Sequence, residues 1–352
     1  MSVIRVEVQW RVWTDESTLS ILSEKKKMTN YKNFGISIVS LLILVTSFSV
    51  TGCTAPSTAA ASTQSLSTSK EPLPSWMLGL WCREWVRYPG VMIEDPKAIQ
   101  KSPQLVRYLQ SPRSFGDMRY PKDRPAYTNA KSFADMSDSD LLIIAKAEGF
   151  VGYTTAENAD ATHATVQWHR ELDFNPTNGL DISRVIPMSD DRIYESALDN
   201  TWTEHYFRLT SGENRFLVVR VECAGRLDRI LIVGGDQFYY ARNRAKDLPT
   251  TDPPSDSLSA LITSTHATRA QIIEFLDCEF SVGRIRGGRV PWEIQYSTLP
   301  WREGKHLEFV DLLQAQGSTG DLKFQAKAGE SWTIPCNTLD PRDFEILFPT
   351  SK

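Results

Sequence analysis

Apolar and polar residues alternate with a period of two in many short stretches of this chain. The clearest of these stretches are residues 81–87, 105–110, 165–174, 203–209, 216–221, 229–233, 280–285, 292–297 and 321–327. They are rich in aromatic and β-branched residues, and clusters of Gly, Pro, Asn and Asp separate them. Because successive side chains of a strand point to opposite faces, the pattern predicts many short strands. The predicted fold class is therefore all-β, mainly antiparallel.

Two segments are predicted to be short helices. Residues 137–149 begin with Ser137 and Asp138, which suit the N-terminal cap of a helix, and end at Gly149, which suits its C-terminal cap. The second segment is residues 255–266. A mainly β-protein with one short helix in each half is the expected outcome.

The order of the predicted elements occurs twice along the chain. Residues 106–125 align without a gap on residues 230–249 at an offset of 124, and the same offset places Trp168 on Trp292. Residues 194–203 align on residues 324–333 at an offset of 130. This repetition predicts a tandem duplication of one β module.

The duplication divides the chain into two predicted domains, residues 75–211 and 212–352. Each domain would hold about seven or eight strands, and a sheet of that size tends to curl and close because closure removes its exposed edges. The sequence therefore predicts two tandem β-barrels, each with one short helix.

Three residues of the first domain form a recognisable motif. Gly79 and Trp81 open its first predicted strand, and Arg208 lies in its last strand. The pattern resembles the calycin (lipocalin-like) superfamily, in which an Arg from the last strand covers a Gly-x-Trp on the first. The resemblance implies a guanidinium stacked on an indole at the barrel floor. The second domain has Arg215-Phe216-Leu217 at the corresponding place, and the tandem lipocalin-like proteins that the chain resembles imply no activity.

Alternation also assigns the faces of three strands in the first domain. The side chains expected on one face of the first strand are Trp81, Arg83, Trp85 and Arg87. Those expected to face the same interior from later strands are Trp168, Arg170, Glu204, Tyr206 and Arg208. Buried charges need partners, so internal ion pairs could fill the barrel. Alternatively the interior is a cup for a small amphiphile with an anionic head, such as a fatty acid.

The second interpretation makes part of this set the candidate ligand-binding residues. They are Arg83, Trp85, Arg87, Trp168, Arg170, Glu204 and Tyr206. Three functions remain open: a binding or carrier protein, a structural or interaction protein with filled barrels, and a barrel enzyme with Glu204, His205 or His169 as acid or base.

The N-terminal part predicts export and lipid anchoring. Residues 28–52 have a basic start at Lys32, an apolar run over 36–50 and small residues before Cys53, which is the layout of a secretory signal. Val50-Thr51-Gly52-Cys53 resembles the bacterial lipobox, which implies lipidation of Cys53. The apolar run is shorter than the ~20 residues that cross a bilayer. We expect a protein anchored to the cell envelope, on the periplasmic side of the outer membrane in a Gram-negative cell.

The segments on either side of this signal have simpler interpretations. Residues 53–74 are rich in Ser, Thr and Ala and predict a flexible tether. Residues 1–27 precede the signal, which indicates an upstream start-site artefact or an extension removed with it.

Composition excludes several classes of function. The chain of 352 residues has a formal net charge of −4 and no long basic run, so no nucleic-acid partner is expected. It has no P-loop, GxGxxG, HExxH or GxSxG motif, and no cofactor or metal is expected. Four cysteines follow Cys53, and disulfides or buried free thiols are both compatible with the sequence: Cys82, Cys223, Cys278 and Cys336.

Overall fold

The structure is a computed structural model that describes residues 73–88, 100–127, 129–176, 179–316 and 321–348. The predicted signal peptide, the lipidation site Cys53 and all but the last two residues of the predicted tether lie outside the described residues. The described residues belong to one compact unit. Among them, no helix is both long enough and apolar enough to cross a membrane.

Nine antiparallel strands form the first sheet. They are β1 (Gly79–Arg87), β2 (Gln100–Lys101), β3 (Gln104–Gln110), β4 (Ser114–Pro121), β5 (Glu148–Glu157), β6 (Ala164–Asp173), β7 (Asp181–Ser189), β8 (Arg192–Ala197) and β9 (Thr203–Thr210). Each barrel strand pairs with its neighbour in the chain, and β9 returns to pair with β1. Eight strands thus close into a barrel, while the short β2 pairs only with the end of β1.

The described residues after β9 form an open sheet, a hairpin and three α-helices. The strands are β10 (Phe216–Cys223), β11 (Arg226–Gly234), β12 (Gln237–Arg242), β13 (Glu279–Arg284), β14 (Glu293–Ser297), β15 (Leu313–Gln316), β16 (Asp321–Phe324) and β17 (Glu330–Asn337). Their sheet has the order β14-β13-β12-β11-β10-β17, and β15 pairs only with β16. The prediction of antiparallel β-structure is confirmed, whereas a second closed barrel is not confirmed over the part of the chain that the structure describes.

Four α-helices complete the described fold: α1 (Asp138–Ile144), α2 (Leu258–Ser264), α3 (Arg269–Leu276) and α4 (Pro341–Leu347). The side chain of Ser137 caps α1 as predicted, but the helix is shorter than expected. Gly149 does not cap it, because this residue already belongs to β5.

The two halves share one order of elements although their register differs. In each half three main strands come first, followed by one helix in the first half and by two in the second. Five further strands follow, and the last strand pairs with the first. The gapless offset of 124, however, aligns Tyr108 with Ile232. Tyr108 contacts Trp168 and Tyr206 across the barrel, whereas Ile232 packs against the outside of that barrel. The even offset of 124 therefore aligns interior residues of the barrel with residues on the outer face of the second sheet. Aligning interior residues of both halves requires an odd offset.

The open sheet is buried on both faces. One face of β10–β13 contributes Leu217, Val219, Leu231, Val233 and Phe238 to its own core. The other contributes Val218, Ile230, Ile232, Tyr239 and Phe280 to a core shared with the barrel. Of these strands, β10, β11 and β13 were predicted from alternation, but residues 216–219 and 230–233 are continuous apolar runs, as expected for strands that are buried on both faces.

Two glycines of the barrel allow this close contact. A Cβ on Gly116 of β4 would lie 2.4 Å from the ring of Tyr239, and a Cβ on Gly149 of β5 would lie 2.6 Å from the ring of Phe280. The Tyr239 hydroxyl also donates to the backbone oxygen of Asp117 at 2.7 Å. The aromatic side chains of the open sheet thus occupy the space above glycines on the outer barrel wall.

Candidate functional site

The Gly-x-Trp motif lies where β1 meets β9. The guanidinium carbon of Arg208 lies 4.8 Å from the centroid of the buried Trp81 ring, and its Nη1 donates to Leu78 O at 3.4 Å. Trp81 Nε1 donates to Met77 O at 2.9 Å. Gly79 has φ of +118°, and a Cβ there would lie 2.1 Å from Thr210 O, so only glycine fits. These contacts fix the first and last strands together at one end of the barrel.

A network of charged side chains fills the interior above this floor. Arg83 is buried and forms an ion pair with buried Glu204. Its other nitrogens donate to Ser102 Oγ at 3.2 Å and Gln104 Oε1 at 2.8 Å. Tyr206 donates to the second carboxylate oxygen of Glu204 at 2.5 Å. Three of the candidate ligand-binding residues, Arg83, Glu204 and Tyr206, are therefore already bound to one another.

A second ion pair adjoins the first. Arg119 donates to both oxygens of Asp117, at 3.1 and 3.0 Å, and lies 3.8 Å from Glu204. Burial raises the pKa of Asp117, although the charge of Arg119 opposes that rise. Burial lowers the pKa of Arg119, but Asp117 and Glu204 more than reverse this, and its pKa is raised well above the usual range. The sequence interpretation did not identify Asp117 and Arg119, because Gly116 and Pro121 obscure the alternation of β4.

Trp168 also points into the barrel, where neutral groups continue the network. Its Nε1 donates to Tyr108 Oη at 3.1 Å, and the Tyr108 hydroxyl donates to Gln110 Oε1. Thr154 donates to the same amide oxygen at 2.9 Å. The candidate residue Trp168 is thus held by a hydrogen-bond chain that reaches two other strands, β3 and β5.

The remaining space in this interior is small. The cavity bounded by Tyr108, Asp117, Arg119, Phe150, Trp168, Asp181 and Glu195 has about 10 Å³ open to the centre of a water molecule. One water needs a space of about this size. Glu195 accepts from Ser183 at 3.1 Å, and burial together with the charge of Glu204 raises its pKa to about 8. The geometry matches internal ion pairing better than a cup for a fatty acid.

Two candidate residues, Trp85 and Arg87, do not lie on the face of β1 that the alternation indicated. A register shift between Arg83 and Trp85 reverses the faces of the strand, so Val86 is buried instead of Trp85. Trp85 stacks against His205, with ring centroids 5.2 Å apart, and next to Tyr194. Arg87 ends the strand, half-buried and paired with Thr203. The expectation that Trp85 and Arg87 share a face with Arg83 is wrong because a β-bulge adds one residue.

Arg170 occupies the end of the barrel near β7. Its guanidinium donates to Asp181 at 2.7 Å and to Asp173 at 3.0 Å, and its carbon lies 3.7 Å from the centroid of the Phe150 ring. Burial lowers the pKa of Arg170, but Asp181 and Asp173 give a net rise. Both carboxylates therefore already neutralise this candidate residue.

The histidines considered as acid or base lie apart from the interior network. His169 stacks on Tyr153 with centroids 4.4 Å apart and shares a hydrogen bond of 2.9 Å with Thr155. His205 lies 3.0 Å from Glu84, on the opposite face of β9 from Glu204. Burial lowers the pKa of both imidazoles. Among the described residues, no group of three His, Cys, Asp or Glu side chains could hold a metal ion.

The described cysteines are free thiols. Cys82, Cys278 and Cys336 are buried, and Cys223 is exposed. Burial raises the pKa of each buried thiol to about 11. Of the two states that the sequence left open, the structure has unpaired cysteines.

A larger space lies outside the barrel, where β6 meets the loop before α2. This Arg244 cleft is lined by the end of β6, residues 175–176, the loop 243–255 and Leu261, and has a volume of about 390 Å³. Leu248 contributes partly exposed apolar surface to it, and the buried Leu172 and Leu261 lie behind the wall. Its volume falls within the ~300–1,000 Å³ of small-molecule sites.

Arg244 lies at the contact between the two halves of the fold. It is 8% exposed and donates to Asp173 O and Phe174 O of the barrel half, both at 2.8 Å. It also donates to Phe275 O at 3.2 Å and to Cys278 Sγ at 3.0 Å in the other half. The sequence interpretation did not identify Arg244, because its partners are backbone oxygens and a thiol that no side-chain motif encodes.

Comparison with known proteins adds little to this picture. No family model and no curated protein matches the chain. The fold search found the crystal structure of an uncharacterised protein from Saccharomyces cerevisiae, with 11% sequence identity and a TM-score of 0.42. The match covers 73% of this chain and 98% of the yeast chain. A similarity this low carries no argument about the family or function of the present chain.

Proposed function

We propose that this chain is an exported lipoprotein, anchored through Cys53, that binds or carries a small amphiphilic ligand. The site proposed for the ligand is the Arg244 cleft rather than the interior of the barrel. The observation that carries this choice is the difference in space, about 390 Å³ in the cleft against about 10 Å³ among the interior side chains.

The cleft also has the mixed lining that an amphiphile requires. Leu248 and the exposed edge of Leu172 offer apolar surface, while Asn243, Thr251 and Arg244 offer polar groups. Small-molecule sites commonly combine an apolar lining with a few polar groups that fix orientation.

We further propose that the chain is a tandem lipocalin-like protein of the calycin type. The closed eight-stranded barrel and the stacking of Arg208 on Trp81 support this assignment for the first half. The shared order of strands and helix supports a duplication for the second half. The open sheet would then correspond to a barrel in which the β15–β16 hairpin is not paired with β14 and β17.

The anchor is tested by replacing the lipidated thiol. Cys53→Ser should abolish incorporation of a labelled fatty acid and move the protein out of the membrane fraction, because no acyl chain could be attached. The control Cys223→Ser removes an exposed thiol of the folded part and should leave both readouts unchanged. Equal labelling of Cys53→Ser and the unaltered protein would contradict the lipoprotein assignment.

Ligand binding is tested by native mass spectrometry of the purified protein. A bound small molecule should add mass to the unaltered protein and be absent from Thr250→Trp, whose new indole would occupy the cleft at an exposed position. Trp168→Phe is the matched control, because it alters the barrel interior without touching the cleft. Loss of the ligand in Trp168→Phe but not in Thr250→Trp would instead place the ligand in the barrel.

A second candidate is a structural or interaction lipoprotein of the cell envelope. The filled barrel interior favours it, since such a barrel serves as a rigid body without any ligand. This candidate predicts a reproducible protein partner after crosslinking in intact membranes. If no such partner is recovered and a small molecule co-purifies, the binding function is supported instead.

A further inference from the structure

Three arginines are buried among the described residues: Arg83, Arg220 and Arg244. Arg83 pairs with Glu204, and Arg220 forms two hydrogen bonds with Glu171, at 2.7 and 2.8 Å. Within the described ranges, no carboxylate lies within 4.0 Å of the Arg244 guanidinium. A buried charge is costly unless an opposite charge offsets it, so Arg244 differs from the other two.

The partners of Arg244 satisfy hydrogen bonds but supply no counter-charge. Three are backbone carbonyl oxygens, and the fourth is the Cys278 sulfur. Burial raises the pKa of Cys278 to about 11, so the thiol is neutral at physiological pH. A guanidinium has five N–H donors, and these bonds use four, which leaves one N–H of Nη1 without an acceptor among the described residues.

Nearby carboxylates are already paired with other arginines. Glu171 binds Arg220, Asp173 lies 3.0 Å from Arg170, and Asp247 pairs with Arg226. These are the carboxylates that line the cleft. Arg226 also lines the cleft and pairs with Asp247, so Arg244 is the arginine of the cleft wall that has no carboxylate partner among the described residues.

Another arginine-rich groove provides a contrast. The groove beside Tyr240, of about 460 Å³, contains Arg229, Arg242 and Arg302. Each of these three has a carboxylate partner: Arg229 with Glu330, Arg242 with Asp277, and Arg302 with Glu308. No arginine of that groove lacks a carboxylate partner, so the argument for an anion applies to the Arg244 cleft.

We propose that the Arg244 cleft binds a small organic anion, with its carboxylate or phosphate on Arg244 and its apolar part against Leu248 and the exposed edge of Leu172. This inference rests on the proposed function, because it specifies the chemistry of the ligand at the same site. The guanidinium fork suits both acid groups, and it binds most strongly where water is excluded.

The test compares two probes of equal chain length, octanoate and octan-1-ol, by isothermal titration calorimetry on the purified protein. Octanoate should bind at least tenfold more tightly than octanol, because only octanoate supplies the counter-charge. The Nε–H resonance of Arg244, assigned by its absence in Arg244→Lys, should shift with octanoate and not with octanol.

Two variants and a control distinguish the effect of losing the Arg244 charge from the effect of unfolding. Arg244→Met should lower octanoate affinity at least tenfold and leave octanol binding unchanged. Thr250→Trp should block octanoate while keeping the guanidinium, which preserves the test if Arg244→Met does not fold. Arg184→Met removes one positive charge from the exposed surface of β7 and should leave octanoate affinity unchanged.

The outcomes distinguish this inference from the proposed function. Equal binding of octanoate and octanol, both blocked by Thr250→Trp, would overturn the anion assignment and leave a small-molecule cleft. No binding of either probe and no shift of the Arg244 resonance would overturn both. Octanoate binding that is unaffected by Thr250→Trp would move the anion site away from the cleft.

Discussion

The contact between Gly116 and Tyr239 allows a quantitative test of how the two halves pack. A Cβ placed on Gly116 would lie 2.4 Å from the Tyr239 ring, which is closer than real contacts allow. Neither Gly116 nor Gly149 has a positive φ, so their backbones accept alanine. Gly116→Ala should therefore destabilise the fold through overpacking, by about 1–3 kcal/mol.

Removing the ring should reverse the sign of that effect. Tyr239→Ala alone should cost about 3–5 kcal/mol, as expected for a fully buried aromatic side chain. In that background the methyl group that Gly116→Ala adds no longer meets a ring. Because alanine has less backbone entropy than glycine in the unfolded chain, Gly116→Ala should then stabilise the fold by about 0.4–1 kcal/mol. The double mutant is thus more stable than Tyr239→Ala alone.

The assay is urea denaturation of the purified single and double mutants, analysed as a double-mutant cycle. We expect a coupling free energy of about 1.4–4 kcal/mol between positions 116 and 239, which is the difference between the two effects of Gly116→Ala. The second contact provides a control, because Gly149→Ala should be rescued in part by Phe280→Ala, which removes the ring carbon at 2.6 Å but keeps the Cβ at 2.9 Å, and not by Tyr239→Ala.

Additivity would refute this packing argument. If Gly116→Ala and Tyr239→Ala add to within about 0.5 kcal/mol, the ring does not rest on the glycine in solution. Rescue of Gly149→Ala by Tyr239→Ala would likewise show a general loosening of the interface rather than a specific contact.

Three further predictions concern single side chains. Burial raises the pKa of Glu195 from 4.5 to about 8 in the folded protein. The stabilising contribution of the protonated carboxyl is therefore complete at low pH and is lost as the pH rises through about 8. The melting temperature should fall between about pH 5 and 9, and it should fall less steeply in Glu195→Gln. Of the described cysteines, Cys223 should react with a thiol reagent in the native protein, while Cys82, Cys278 and Cys336 should react only after unfolding, as peptide mapping would reveal. Arg208→Ala should lower stability by about 0.5–2 kcal/mol in urea denaturation, and Arg208→Lys by less, since an ammonium retains part of the cation–π contact with Trp81.

Sequence patterns located β1, β3, β6 and β9 of the first sheet, and also β10, β11 and β13 of the second, although both faces of these three are buried. β6 shows the clearest alternation, because one side faces the barrel interior and the other is more exposed. β12 was missed because Phe238 to Ala241 is apolar and aromatic throughout and lacks alternation. β5 was missed because Gly149 and Gly152 interrupt its pattern at close contacts, and β17 because it contains Pro335.

Local signals were available for one element that the sequence analysis did not predict. Thr268 and Gln271 form a capping box at the start of α3, and this spacing is readable from sequence. The Arg244 cleft, in contrast, had no local signal. Its guanidinium joins backbone oxygens 31 to 71 positions away, and such contacts exist only once both halves are folded together.

The sheet with two buried faces has a consequence for the way this chain is made. The barrel half is synthesised first. Its outer wall already has the open space above Gly116 and Gly149 that Tyr239 and Phe280 later occupy. The second half cannot bury Ile230, Ile232 and Tyr239 by itself, so it should fold against the already folded barrel. The fold therefore has two unequal parts, a closed barrel and an open sheet that shares a core with it. Cutting the chain between Thr210 and Phe216 should therefore leave a stable first fragment and an aggregating second one.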